Sequence, residues 1–156
     1  MREPKFPGRA QPAVSGWLCA LLLPVLLAMA ACHHTPAEQQ IRAAIASAAS
    51  AARDNDVHGV LGVVSDDFAG HDGDFDKHAL HRLLAVRALR QDKTGVLVGP
   101  ITFERKGDRI IAHFNLVLTG GKPGDLLPEQ SSVYAMTTAW RREDGDWRCY
   151  HASWEH

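Results

Sequence analysis

The chain has 156 residues, 46% of them hydrophobic and 22% charged, with a formal net charge of −1. That length holds one domain, and the near-neutral balance gives no electrostatic footprint for nucleic acid. Three cysteines exclude a disulfide-rich scaffold.

Arg2, Lys5 and Arg9 form a positive leading region before the apolar run "WLCALLLPVLLAMAA", Trp17 to Ala31. The run falls short of the roughly 20 residues that a bilayer-spanning helix needs, so residues 1–31 read as a signal peptide. Its end, "AMAAC", resembles the lipobox of bacterial lipoproteins. The resemblance implies cleavage before Cys32, diacylation of its thiol, a short lipidated tether over residues 32–34, and the membrane as a partner through that lipid. His33 in place of aspartate after the cysteine implies, by the same resemblance, the outer membrane, with the domain facing the periplasm. Two alternatives stay open: Ala28-Met29-Ala30 also fits the pattern of ordinary signal peptidase, which releases a free periplasmic protein, and the segment can remain as an uncleaved anchor.

Cys19 leaves with the leader and Cys32 is consumed by lipid, so Cys149 alone remains and is expected as a small buried hydrophobe rather than a reactive thiol. The leader takes away three of the 17 basic and one of the 18 acidic residues, leaving 14 against 17 and a net charge of −3.

Residues 35–156 are expected to form the domain. "TPAE" is a capping box, with Thr35 accepting from the backbone N–H of Glu38 and Pro36 at the first helical position. Ile41, Ile45, Ala48 and Ala52 continue at helical spacing. Asn55 or Asp56 caps a second, shorter helix carrying Val60, Leu61 and Val64. Gly70 and Gly73 interrupt, and a third helix is predicted from about Asp76 to Arg90 with Leu80, Leu83 and Leu84 inward.

"GHDGDFDKHALHR", residues 70–82, holds three histidines and three aspartates. His78 and His81 share a helical face, and with His71, Asp72, Asp74 and Asp76 they are a candidate cation site. An EF-hand is excluded: counted from Asp72, Lys77 stands where glycine is required and Leu83 where glutamate is required. Acids at a helix start cap it and complement its dipole, so the stretch is assigned to a helix start, with no metal and no cofactor. His33 and His34 are a further, weaker metal candidate.

The period then changes to two. "TGVLVGPITFERKGDRIIAHFNLVLTGG" reads as two strands turning at "KGD". Ile110, Ala112, Phe114, Leu116 and Leu118 share a core face, with His113 and Asn115 opposite. "GGKPGDLLPEQ" is expected to fold Leu126 and Leu127 back over an apolar opening. Asp144 and Gly145 make a two-residue hairpin turn, which predicts Arg142 opposite Trp147, Arg141 opposite Arg148, Trp140 opposite Cys149, Ala139 opposite Tyr150 and Thr138 opposite His151. The opposed arginines put their side in water and the tryptophans in the core.

Three helices before a curled sheet, with "SDDFAG" and the closing "REDGDWRCYHASW", resemble the NTF2-like superfamily, also called SnoaL-like or cystatin-like, over Thr35 to Trp154. The resemblance implies an α+β cone, three N-terminal helices packed on a curled antiparallel sheet around an apolar pocket, and dimers across the outer sheet face. Tyr150 and Trp154 are expected on that outer face. The inferred pocket wall is Tyr134, Met136, Thr138, Trp140, Trp147, Cys149, His151 and Ser153, with Asp66 and Asp67 where the chain leaves the second helix.

Fold alone does not assign a reaction. The expected function is a lipid-anchored, periplasm-facing module that binds a small apolar ligand or a partner without catalysis. Alternatives are an isomerase, cyclase or hydrolase with Asp67 or His151 as base and Tyr134 as oxyanion donor, and a structural homodimerisation module.

Overall fold

The computed structural model describes residues 36–71, 73–90, 93–121 and 130–156, all within the unit 35–156. Cys32, His33, His34, Thr35, Asp72, Leu126 and Leu127, and the expectations placed on them, lie outside the described residues.

Helix α1, Ala37–Arg53, is alanine-rich, which favours the helical state. Its first turn is closed by the Pro36 carbonyl, which accepts from the backbone N–H groups of Gln39 and Gln40 at 3.0 and 3.1 Å. Glu38 and Arg53 stand at the ends that the helix dipole favours. Helix α2, Val57–Leu61, is capped by Asp56, whose carboxylate accepts from the Gly59 N–H at 3.0 Å. Gly59 has a packing reason: a Cβ there would sit 2.7 Å from that of Ala51.

Strand β1, Val64–Gly70, replaces the expected end of the second helix. Val64 is buried in this strand, and Asp66 and Asp67 lie within it rather than at a helix end. Gly62 and Val63 form a turn after α2, and the Cys149 N–H then bonds the Val63 carbonyl at 2.9 Å, drawing the segment alongside the last strand. A two-residue strand β2, Phe75–Asp76, folds back on β1 and leads into α3, Lys77–Arg90.

The expected first strand of the next hairpin is two, β3 (Lys93–Val98) and β4 (Thr102–Lys106), both pairing with the long β5, Arg109–Gly121. Gly99 and Pro100 divide them, and proline cannot donate to a ladder. Strands β6 (Gln130–Glu143) and β7 (Asp146–Glu155) close the fold. The order is β2-β1-β7-β6-β5-β3, with β4 also on β5. The sheet is mixed and not antiparallel throughout, because β1 runs parallel to β7.

Asp144 and Gly145 both have positive φ, 49° and 93°, as a type I′ hairpin turn requires. The register near it puts Arg142 opposite Trp147, Arg141 opposite Arg148 and Trp140 opposite Cys149. Between Ala139 and Trp140 it slips by one, so Ala139 faces His151 and Thr138 faces Ala152. The extra residue on β7 is Tyr150, a β-bulge that reverses the alternation beyond it.

The core gathers Ile41 and Ile45 of α1 against Phe68, Ile110, Trp140, Trp147 and Cys149. Ile41 and Ile110 are fully buried.

Candidate functional site

Between α1 and the concave side of the sheet lies a cavity of about 480 Å³, within the usual range for small-molecule sites. Its origin is compositional. Ala48, Ala49, Ala51 and Ala52 present only methyl groups to the sheet, leaving volume that larger side chains would fill. The opposite wall comes from alternate residues of β5 and β6, Phe114, Leu116 and Leu118 with Met136, Thr138 and Trp140.

Polar groups at this site are few and mostly engaged. The Thr138 hydroxyl accepts from Trp140 Nε1 at 2.9 Å and donates to the Ala112 carbonyl at 3.4 Å, fixing the indole. The ring of Tyr134 meets that of His156 edge-on at 5.1 Å. The Cys149 thiol donates to the His151 carbonyl at 3.3 Å, and burial pushes its pKa up to about 12. It is therefore protonated at neutral pH and a poor nucleophile. Among the described residues, the other ionisable side chains at the cavity are Asp56 and Arg87. Both are exposed as well as lining, which puts them at its opening beside Leu83.

Of the residues inferred from sequence, Tyr134, Met136, Thr138, Trp140 and Cys149 line the cavity. Trp147 is packed in the core outside the lining. The Tyr150 bulge removes His151 and Ser153 from the wall and supplies Ala152 and Trp154 instead. Trp154 is thus not an outer-face residue: its indole stacks on His71 at 4.6 Å and meets Phe75 edge-on at 5.6 Å. Sequence reasoning missed Asn55, Asp56 and Arg87 at the opening. Arg87 carried a signal, since it follows Leu80, Leu83 and Leu84 at helical spacing and is the charged member of that stripe.

Asp67 stands on the outer side of the sheet. Its carboxylate accepts from Arg141 Nη2 and from the Ser65 hydroxyl, both at 2.6 Å. The Arg141 hydrogen bond, then that of Ser65, holds the Asp67 carboxyl below its usual 3.8. Arg141 also donates through Nε to Glu143 at 2.6 Å, and its guanidinium lies 5.1 Å from the centre of the Tyr150 ring, which Arg109 approaches at 5.4 Å. Asp66 is paired with Lys77 at 2.8 Å, and that hydrogen bond lowers its pKa. The candidate base Asp67 and candidate donor Tyr134 are therefore not assembled around one cavity.

The described aspartates and histidines of residues 70–82 do not converge. Asp76 accepts from the Ala79 N–H at 2.7 Å at the start of α3, His71 stacks on Trp154, and His78 and His81 are exposed. Among the described residues, no three such side chains converge as ligands. No described helix is long and apolar enough to cross a membrane.

No protein-family model matches the chain, and no curated protein matches it. Solved structures do. An NTF2-like protein of unknown function from Pseudomonas putida aligns at 24% identity with a TM-score of 0.63, over 76% of this chain and 85% of that one. An NTF2-like protein with a cystatin-like fold from Novosphingobium aromaticivorans aligns at 21% identity and a TM-score of 0.62, over 92% and 90%. An NTF2-like protein from Cytophaga hutchinsonii aligns at 16% identity and 0.61, over 77% and 98%. The fold is thus the NTF2-like, cystatin-like one, with a curled mixed sheet behind its helices.

Proposed function

We propose that the domain binds a small apolar molecule in the α1–sheet cavity without transforming it, on a chain lipidated at Cys32 and held at the cell envelope facing the periplasm. The observation that carries this reading is that the candidate bases lie apart from the apolar space, and that the carboxylate at the cavity, Asp56, sits at its opening and is engaged in capping α2. The cavity is walled by aliphatic and aromatic side chains, while the Asp67 carboxylate is committed to Arg141 and Ser65 on the other side of the sheet. A general base must come within about 3 Å of the proton it removes, and neither Asp67 nor His151 lines the space a ligand would occupy.

Trp140 and Trp154 both border the cavity, so binding is expected to be visible in their fluorescence. Titration with an apolar fluorophore such as 1-anilinonaphthalene-8-sulfonate should quench tryptophan emission saturably at one probe per chain. Ala52→Phe, which projects a ring into the cavity, should abolish the quenching while the chain stays folded by circular dichroism. Absence of saturable quenching in the parent protein would sink the binding assignment. Anchoring is tested separately: mass spectrometry of the chain recovered from membranes should find Cys32 as the new terminus carrying acyl groups, and a membrane-bound chain without acyl groups on Cys32 refutes lipidation there.

A further inference from the structure

Helix α3 carries Lys77, Arg82, Arg87 and Arg90 together with His78 and His81, and no acid. The whole chain is −1, so the remainder outside this helix totals −5. Lys77 is engaged by Asp66 at 2.8 Å; Arg82, Arg87 and Arg90 are exposed. Among them stand Leu83, Val86 and Leu89, which are 49%, 46% and 84% exposed. Side chains three apart are neighbours on a helix, so these three form one apolar stripe. It begins at the cavity opening, where Leu83 both lines the space and meets solvent, and runs outward to Leu89.

A helix facing only water places polar groups on its outer side. Exposed aliphatics interleaved with arginines and free of acids instead match a helix lying in an anionic lipid interface, with its apolar side chains in the acyl boundary and its cations among the phosphates. The charge segregation selects this occupant over a two-fold symmetric second copy of the chain, in which α3 would face α3 and bring like charges together.

We propose that α3 docks on an anionic phospholipid surface through Leu83, Val86 and Leu89, flanked by Arg82 and Arg90, so that the cavity opens onto the bilayer and takes up an acyl-chain lipid from it. The lipid-uptake half of this inference rests on the apolar-ligand reading of the cavity; the docking half does not.

The test uses residues 33–156, which contain the whole compact unit, so that neither a covalent lipid nor the apolar leader contributes. It should sediment with vesicles containing about a third phosphatidylglycerol but not with pure phosphatidylcholine, and salt should release it. Arg82→Gln and Arg90→Gln should each weaken partitioning about fivefold. Leu89→Glu should abolish it and slow transfer of a pyrene-labelled fatty acid from vesicles to the protein at least about tenfold. In solution, binding of the same fatty acid should be unchanged by Leu89→Glu, because Leu89 does not line the cavity. Fatty-acid binding in solution with no vesicle binding overturns the docking surface and leaves the ligand reading standing. Vesicle binding lost in Leu89→Glu with no fatty-acid binding supports docking and overturns lipid uptake. Vesicle binding that survives Leu89→Glu overturns the assignment of the surface to α3. A dimer that dissociates in Leu89→Glu, with no vesicle binding, gives the stripe to a second copy and overturns the proposal.

Discussion

The two faces of the β5–β6–β7 sheet use opposite chemistry. On the concave side, Met136, Thr138 and Trp140 border an apolar space and the polar atoms of Thr138 are spent on locking an indole. On the outer side, Ser65, Asp67, Arg141 and Glu143 form a hydrogen-bonded cluster with Tyr150 against the guanidinium groups of Arg109 and Arg141. The contrast teaches that a cluster of titratable groups is not thereby a reaction centre. Here the outer cluster neutralises two directly opposed arginines: Arg141 is held by Asp67 and Glu143, and Arg148 lies 3.5 Å from Asp146.

If the faces are independent in this way, substitutions should sort by face. The largest effect is expected from Trp140→Ala, which empties a 2%-exposed position, frees the Thr138 hydroxyl and removes a cavity wall. It should cost about 3–5 kcal/mol by urea denaturation and reduce probe binding as well. Arg141→Gln is next: it leaves Asp67 and Glu143 without their shared cation and should lower the denaturation midpoint less than Trp140→Ala does, with probe affinity unchanged. A matching loss of affinity would show that the faces are coupled.

Acid titration sharpens the comparison further. Because the folded Asp67 carboxyl lies below 3.8, its contribution to stability is present above that pH and lost as the pH falls through the lowered folded value. Asp67→Asn should therefore be less stable than the parent at neutral pH, and the two stability curves should converge as the pH drops below 3.8. Curves that stay parallel would refute the Asp67–Arg141 interaction as a stabilising one. Tyr150→Ala should give the smallest change, about 0.5–1 kcal/mol for ring contacts with one exposed and one partly buried cation, and none in probe binding.

Much of the helical half was legible because its signals are local. The Ile41 and Ile45 spacing, the Asp56 cap and the Asp76 cap each sit within a turn of what they control. The Asp144-Gly145 turn set the hairpin correctly for as far as alternation held, down to Trp140 opposite Cys149. What escaped was non-local or carried by one unpaired residue. Strand β1 is short, bears two acids at its centre, and is defined by pairing with a strand some eighty positions later. Its irregular register with β7, between Val64 and Ala69, leaves no clean two-residue period to read. Past Tyr150 each expectation about β7 is inverted, so His151 and Ser153 exchange roles with Ala152 and Trp154. The division of β3 from β4 had a visible marker in Gly99-Pro100, which the alternation of the flanking residues masked.

The bulge at Tyr150 makes the cavity wall a matter of parity. With Tyr150 bulged out, the last stretch of β7 offers the cavity Ala152 and Trp154; with Tyr150 paired opposite Ala139 instead, the same sequence in the same hairpin would offer His151 and Ser153. A one-residue slip of the end of β7 that paired Tyr150 with Ala139 would replace a methyl and an indole with an imidazole and a hydroxyl, while leaving the turn and the pairs from Glu143 to Trp140 in place; deleting Tyr150 would not, since it removes the bulge and keeps Ala152 opposite Thr138.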